Sequence, residues 1–268
     1  TATTATFQLG HEDLFAMTLG HQRFVRDKCR FAYKDARCCY PNDDFDASTT
    51  VNLVPGGDGE KGFGWSIANA ANSVEAGTRI YEGNIEIKSK FDVAYSGATA
   101  VYAYKSFYGD IDAYTRYVSD PGTSRIAIFK LVDPVAPSNW VGVGCEREGG
   151  VSYINAYRSD TGVRLKEKIS STVTYWRIKR EGLRIRTYWH GQYDTTWQVG
   201  TDWTIAWVPN LIRIGFCTEV TSLVTSAYAQ QWDFFRMTSG GLSSCDYTLD
   251  GPNGCRAHSN TVNFGGFP

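Results

Sequence analysis

Residues 174–197 read TYWRIKREGLRIRTYWHGQYDTTW. Two runs of aromatic and β-branched residues flank Glu181-Gly182, and Gly supplies the positive φ that a two-residue hairpin turn needs. With those two residues as the loop, Arg180 faces Leu183, Ile178 faces Ile185 and Trp176 faces Thr187. That face is largely apolar and should point inward. The other face sets Lys179 against Arg184, Arg177 against Arg186, and Tyr175 against Tyr188. Like charges directly opposite one another are unfavourable. These cations therefore call for carboxylates from neighbouring strands, open water or an anionic partner.

The same texture runs outward from this hairpin in both directions. Short alternating runs at about 79–93, 99–106, 110–118, 125–132, 140–148, 151–158, 162–169, 201–208, 211–217 and 227–237 are separated by turn residues, as in a sandwich or barrel. From Arg79 the alternation puts Ile85, Ile87, Phe91 and Val93 on one face and Glu82, Glu86, Lys88, Lys90 and Asp92 on the other. No strong helix signal lies between Asp43 and Met237. The Gly-rich run PGGDGEKGFG at 55–64 lacks the Gly-Lys-Ser/Thr of a phosphate loop and reads as a surface loop.

Length and composition suit this reading. The chain has 268 residues, 42% hydrophobic and 14% aromatic, with 27 glycines. A formal charge of −1 gives no long-range attraction to nucleic acid. No apolar run approaches the roughly 18 residues of a spanning helix. The start, TATTATFQLG, has neither the basic nor the apolar region of a signal peptide, and fits the end left by removal of an initiator Met or by cleavage of a precursor. The seven cysteines include no zinc-spaced pair. Cys145 and Cys217 fall in apolar strands, as buried thiols do. Cys245 and Cys255 bracket a Gly/Pro/Asn loop and are the disulfide candidates.

Three segments follow. Residues 1–42 form an N-terminal arm, with a helical stripe of Phe24, Cys29, Ala32, Tyr33 and Ala36 that Pro41 would end. Residues 43–237 form the β domain, and 238–268 an irregular tail. The arm either packs on the body or, as the sharper reading has it, docks on other subunits of a homo-oligomer or larger assembly; nucleic-acid binding by its short basic run is a third option.

Four motifs in order carry a resemblance: DDFD at 43–46, YEGNIEIKSKFDV at 81–93, the 174–197 hairpin, and AQQWDFFRM at 229–237. Together they resemble the concanavalin A-like lectin/glucanase superfamily in its laminin-G-like branch. The resemblance implies an all-β, two-sheet antiparallel jelly-roll sandwich. It departs from the family pattern at 190–195, where HGQYDT stands for Ser-x-Asp-Gly, at Asn84, where Asp is usual, and in lacking the Glu-x-Asp-x-Glu strand of the superfamily's glucanases. Family modules are common in secreted surface proteins and in phage tail and capsid-associated proteins, and rim Ca²⁺ is common among them.

Several constellations could carry chemistry. Glu146 and Glu148 lie two apart on a strand, so they share a face with Trp140, at a rise of about 6.6 Å that suits paired carboxylates. The bland alternative is a solvated acidic pair offsetting the Arg177/Arg186 ladder. Asp43, Asp44 and Asp46 offer oxygens for Ca²⁺ or cap turns. Tyr188, His190 and Tyr193 are the surface candidates for stacking on a ligand, with Trp189 and Trp197 as core residues. The reading these features favour is a non-enzymatic, lectin-like structural or adhesive module of a virion or extracellular surface, touching cell-surface polysaccharide. The alternative is a secreted carbohydrate-active enzyme working through Glu146 and Glu148.

Overall fold

A computed structural model describes residues 42–45, 50–62, 65–90, 94–171, 174–222 and 229–242. The arm before Asn42, Asp46, Cys245 and Cys255 lie outside them. Fifteen strands make up the fold: β1 (Val51–Asn52), β2 (Gly59–Gly62), β3 (Trp65–Ala68), β4 (Arg79–Tyr81), β5 (Asn84–Ile87), β6 (Val101–Tyr117), β7 (Arg125–Val132), β8 (Trp140–Glu148), β9 (Val151–Arg158), β10 (Gly162–Lys168), β11 (Thr174–Glu181), β12 (Arg184–Gly191), β13 (Gln198–Thr204), β14 (Leu211–Val220) and β15 (Gln230–Leu242). All their ladders are antiparallel, as the resemblance implies.

One strand joins the two layers. The first half of β6 pairs with β14 as far as Tyr108, and the second half pairs with β11 from Ile111 onward. The neighbour therefore changes at Gly109, whose N–H donates to the Asn210 carbonyl at 3.0 Å. The first layer continues from β14 through β7, β8 and β9 to β10. The second holds β13, β12, β11, the end of β6, β15, β5, β4 and β1. The layers meet face to face, β11 against β7 and β8, β12 against β8, and β13 against β9 and β10.

The central hairpin keeps its predicted faces and changes its register. Gly182 and Leu183 form the turn, so Glu181 pairs with Arg184, Ile178 with Thr187 and Trp176 with Trp189. Gly182 has φ +58, the value of the first central residue of a type II′ turn, which needs Gly there and leaves Leu183 ordinary. A shift of two residues keeps every side chain on its face. It also frees Glu181 to bind Lys179 at 2.7 Å and to pair with Arg186. Arg177 takes Asp112 of β6 and Arg184 takes Asp202 of β13, each through two bonds. The cations are thus met by neighbouring carboxylates.

Other boundaries differ from the sequence reading. The runs expected at 99–106 and 110–118 are one strand, β6. The run from Arg79 is a hairpin, β4–β5, turning at Glu82-Gly83, and Glu86 is buried with Arg79 at 2.6 Å and Gln231 at 2.5 Å. The Gly-rich loop contains β2, paired with β3. The strand expected at 201–208 is β13, shifted toward the N-terminus. β15 runs past Met237 into the expected tail, with register shifts along its ladder to β6.

Between the layers the core is aromatic. Phe216 of β14 stacks on Trp65 of β3 at 5.3 Å and lies 4.9 Å from Trp232 of β15. Trp176 of β11 stacks on Tyr117 at 4.7 Å. Cys145 belongs to this core, and Cys217 to a smaller cluster on the outer side of the first layer. Both are buried and free. Asp43 is drawn inward as well. It accepts from Trp65 Nε1 at 2.8 Å and lies 3.8 Å from Lys105 Nζ, with both side chains all but sealed from solvent.

Candidate active site

The outward face of the first layer is set by strand parity. On β7, Ala127, Phe129 and Leu131 enter the core, so Ile126, Ile128, Lys130 and Val132 point out. Register then aligns the neighbours. Glu146 of β8 lies opposite Ile126, and Glu219 of β14 lies opposite Ile126 on the other side. The two carboxylates share one face and flank one strand. Their Cα atoms are therefore two strand spacings apart, roughly 9.6 Å. A second row runs Tyr157, Gly142, Lys130, Gly215 and Tyr104. The glycines leave Lys130 room to lie between its neighbours.

The segment before β6 crosses over this face. Ser96 and Thr99 close a single 3-10 turn at Gly97–Thr99 with a reciprocal capping box. The turn presents Gly97 to both buried ionisable side chains. Its N–H donates to Glu219 Oε1 at 2.7 Å, and its carbonyl accepts from Lys130 Nζ at 3.2 Å. The Lys130 ammonium also sits 4.9 Å from the Tyr102 ring and 5.2 Å from the Trp140 ring. Beside them a cavity of about 380 Å³ is lined by Gly97, Trp140, Tyr157, Arg158, Ser159 and Glu219 among others.

Glu219 is the titratable group this arrangement changes most usefully. Burial pushes its carboxyl above the ordinary glutamate value, outweighing the opposing pull of Lys130 and of the Gly97 N–H. A carboxyl whose pKa is raised by burial is better suited to act as a general acid than an ordinary one. Tyr157 is held well above the ordinary phenol value by burial first and then by Glu146, with Glu219 adding to it. It therefore stays a neutral phenol, its oxygen accepting from Asn155 Nδ2 at 2.7 Å. Asn155 is fully buried, and its Oδ1 has no hydrogen-bond partner among the described residues.

The candidates named from sequence fall in three places. Glu146, Glu148 and Trp140 do share this face. The acidic pair, however, does not offset the basic hairpin, which lies in the other layer. Both carboxylates hold Lys166 of β10, at 2.8 Å and 2.5 Å. Glu148 is 69% exposed at its side chain, against 18% for Glu146. Tyr188 and His190 are on the outward face of the second layer, on the opposite side of the sandwich from Trp140. His190 is nearly buried, stacked on Tyr175 at 4.4 Å and met edge-on by Trp197 at 4.5 Å. Trp197, expected in the core, is half-buried on that outer face because the chain leaves β12 before it. Tyr193 is 88% exposed. Asp43 is spent on Trp65 and Lys105, and Asp44 pairs with Arg236, so the first two expected Ca²⁺ ligands have other partners. No group of three metal-ligating side chains is present among the described residues.

Glu219, Lys130, Tyr157, Asn155 and Gly97 were missed. Lys130 had a signal, as the lone interior cation of the apolar run RIAIFKLV. Glu219 had a weaker one, as the acid closing LIRIGFCTEV on the outward parity.

No family model matches the sequence, and no curated protein matches it. Solved structures do match. A GH43 protein from Bacillus licheniformis aligns at 13% identity and a TM-score of 0.51, over 74% of this chain and 39% of its own. The endo-β-1,3-glucanase from Pyrococcus furiosus aligns at 12% identity and a TM-score of 0.51, over 75% of this chain and 94% of its own. The chain thus spans about two fifths of the GH43 protein and nearly all of the glucanase. The shared property is the fold, a β-sandwich used by glycoside hydrolases. The expectation of a non-enzymatic structural or adhesive module of a virion is corrected here: these two neighbours are a GH43 protein and a glucanase by name, which fits the alternative reading, a carbohydrate-active enzyme, better. They lend nothing to a laminin-G-like or phage assignment.

Proposed function

We propose that this chain is a carbohydrate-active enzyme that hydrolyses a glycosidic bond on the outward face of its first layer. The observation that carries the reading is Glu219: a buried carboxyl lining an aromatic-walled cavity, with a second carboxylate on the same face across one strand. The pair differs from the one expected from sequence. Glu148 is replaced by Glu219, because Glu148 is exposed and tied to Lys166.

In this reading Glu219 donates its proton to the glycosidic oxygen as the C–O bond breaks. Glu146 takes a proton from a water whose oxygen bonds to the anomeric carbon. Lys166 holds Glu146 through Oε1 and leaves Oε2 outside that ion pair. With one strand between them the two residues stand two strand spacings apart at Cα, which leaves room for the water and favours an inverting reaction. Trp140 and Tyr157, 6.0 Å apart at a tilt and largely buried, form the aromatic wall of the cavity in which the sugar would lie. The polymer would be met outside the cell.

The test is incubation of the full chain with neutral polysaccharides, headed by β-1,3-glucan, the polymer in the name of the Pyrococcus neighbour. New reducing ends are counted and the first-formed anomer is read by proton NMR. Glu219→Gln and Glu146→Gln should each lower turnover by about 10²-fold or more with the fold retained. Undiminished release by both variants, or none from any polymer by the parent chain, would overturn the reading.

A further inference from the structure

The outward face of the second layer carries a cluster of rings that the proposed chemistry does not use. Phe234 of β15 and Tyr114 of β6 meet edge-on at 5.7 Å, and Tyr114 meets Trp197 at 6.3 Å. Tyr175 lies 6.2 Å from Phe234. Arg177 spans Tyr188 and Trp197, 5.4 Å and 5.6 Å from their ring centres. Each of these rings is half-buried, so each still shows part of itself to solvent. At the rim stand Tyr193 and Val199, 88% and 59% exposed. Val199 lies opposite Tyr188 in the β12–β13 ladder.

Charge on the face decides what such a platform accepts. Arg177 and Arg184 are each bound in two-point fashion by Asp112 and Asp202. Arg116 pairs with Asp233, and Arg236 with Asp44. A charged partner would have to break these pairs to gain its own. A neutral polyol need not. A guanidinium has five N–H donors and a carboxylate about four acceptor positions, so a two-point pair leaves capacity on both members. Sugar hydroxyls can use that capacity while the C–H face of the ring lies on the aromatic surface. Aromatic surface with a few fixed polar groups is the make-up of a small-molecule site.

We infer that this face is a second glycan-binding surface, on the opposite side of the sandwich from the cavity, and that it takes a neutral polysaccharide. The inference does not depend on the cleavage reading, because binding here uses none of the residues assigned to catalysis.

The experiment is native electrophoresis of the Glu219→Gln chain through gels containing soluble β-1,3-glucan, hydroxyethyl cellulose or polygalacturonate. A neutral polymer should retard the protein. Trp197→Ala and Tyr188→Ala should each weaken that retardation about tenfold, a loss of roughly 1.4 kcal/mol. Trp140→Ala, on the other face, should remove only the share of retardation that the cavity supplies, so that retardation persists in it and falls further when Trp197→Ala is added. Trp197 helps seat the turn after β12, so Tyr193→Ala, at a side chain almost wholly in solvent, serves as the variant that cannot disturb folding and should weaken retardation by a smaller factor. Retardation that survives all three platform substitutions, that is lost only with Trp140→Ala, that is given by polygalacturonate alone, or that never occurs would each overturn the inference. A parent chain that cleaves nothing yet is retarded through Trp197 would refute the cleavage reading and uphold this one.

Discussion

Removing the Asp43 carboxylate should be among the costliest single changes in the sandwich. Asp43 Oδ2 accepts from Trp65 Nε1 at 2.8 Å and faces Lys105 Nζ at 3.8 Å, while Oδ1 accepts from the Phe45 N–H at 2.9 Å. The side chains of Lys105 and Asp43 are 0% and 2% exposed. Breaking a buried pair by deleting one member costs about 3–5 kcal/mol. The stranded Trp65 donor falls within that figure, since one oxygen serves both partners. For a domain near this size the loss corresponds to a fall in Tm of roughly 10 °C. Lys105→Met should cost less, about 1–3 kcal/mol, because the carboxylate keeps two N–H donors. The double variant Asp43→Asn with Lys105→Met should come back to within about 1–2 kcal/mol of the parent, since a neutral pair avoids the desolvation of two charges. Urea unfolding followed by tryptophan fluorescence measures all four corners. If the single losses simply add, with a coupling below about 0.5 kcal/mol, or if Lys105→Met is the worse single change, the pair is not the feature described.

Three further outcomes are expected. The folded-state pKa of Glu219 lies above the ordinary 4.5, so the folded protein holds this proton more tightly. Its contribution to stability is full below the ordinary value and is lost as pH rises from there through the folded pKa. Glu219→Gln should therefore flatten the fall of the urea midpoint across that window. Alanine at Gly182 and Gly215 separates conformation from space. A Cβ on Gly182 meets nothing within 4 Å, so the cost is the left-handed φ alone, about 1–2 kcal/mol in a thermal melt. A Cβ on Gly215 would fall on the Ala103 carbonyl oxygen, so that variant should lose about 3 kcal/mol or fail to fold. Glu148→Gln should leave turnover within a few-fold of the parent, because its ion pair with Lys166 is exposed and such pairs are worth about 0–1 kcal/mol. A loss as large as that of Glu146→Gln would return Glu148 to the site.

How much of this was legible in the sequence depends on the range over which a residue's surroundings are set. The hairpin's faces were legible, because period-two alternation fixes them locally. Its register was not, because a slip of two residues preserves every face and only the turn decides between registers. The shared face of Glu146, Glu148 and Trp140 was legible for the same reason. The partners of that face were not. Lys166 reaches Glu146 because β10 closes the layer beside β9, and Glu219 flanks Ile126 because β14, from much later in the chain, inserts between β6 and β7. Strand order is a long-range property, and alternation carries no trace of it. Trp197 was misplaced for a related reason. Its composition says core, but the chain breaks from β12 at the Gly191 turn and lays the ring outside.

The same argument isolates what the proposed acid depends on. The turn at Gly97–Thr99 helps to cover Glu219, and the Thr99 hydroxyl helps to close that turn through two bonds, from Ser96 N–H to Thr99 Oγ1 at 3.1 Å and from Thr99 Oγ1 to the Ser96 carbonyl at 2.9 Å. Thr99→Val removes both at a cost of about 1 kcal/mol, in a part of the turn that is exposed and outside the core. Loosening the turn has two opposite effects on Glu219. Losing the Gly97 N–H withdraws a donor that favours the carboxylate, which raises the pKa. Admitting water removes the burial that disfavours the carboxylate, which lowers it. Burial is the larger influence in the intact site, so the net movement should be downward. If Glu219 is the proton donor, the alkaline limb of kcat/KM must then shift to lower pH in Thr99→Val while the acid limb stays in place. A limb that moves upward would mean that the hydrogen bond outweighs burial. A limb that does not move, in a variant whose turn has demonstrably opened by hydrogen exchange, would mean that the group titrating there is not Glu219.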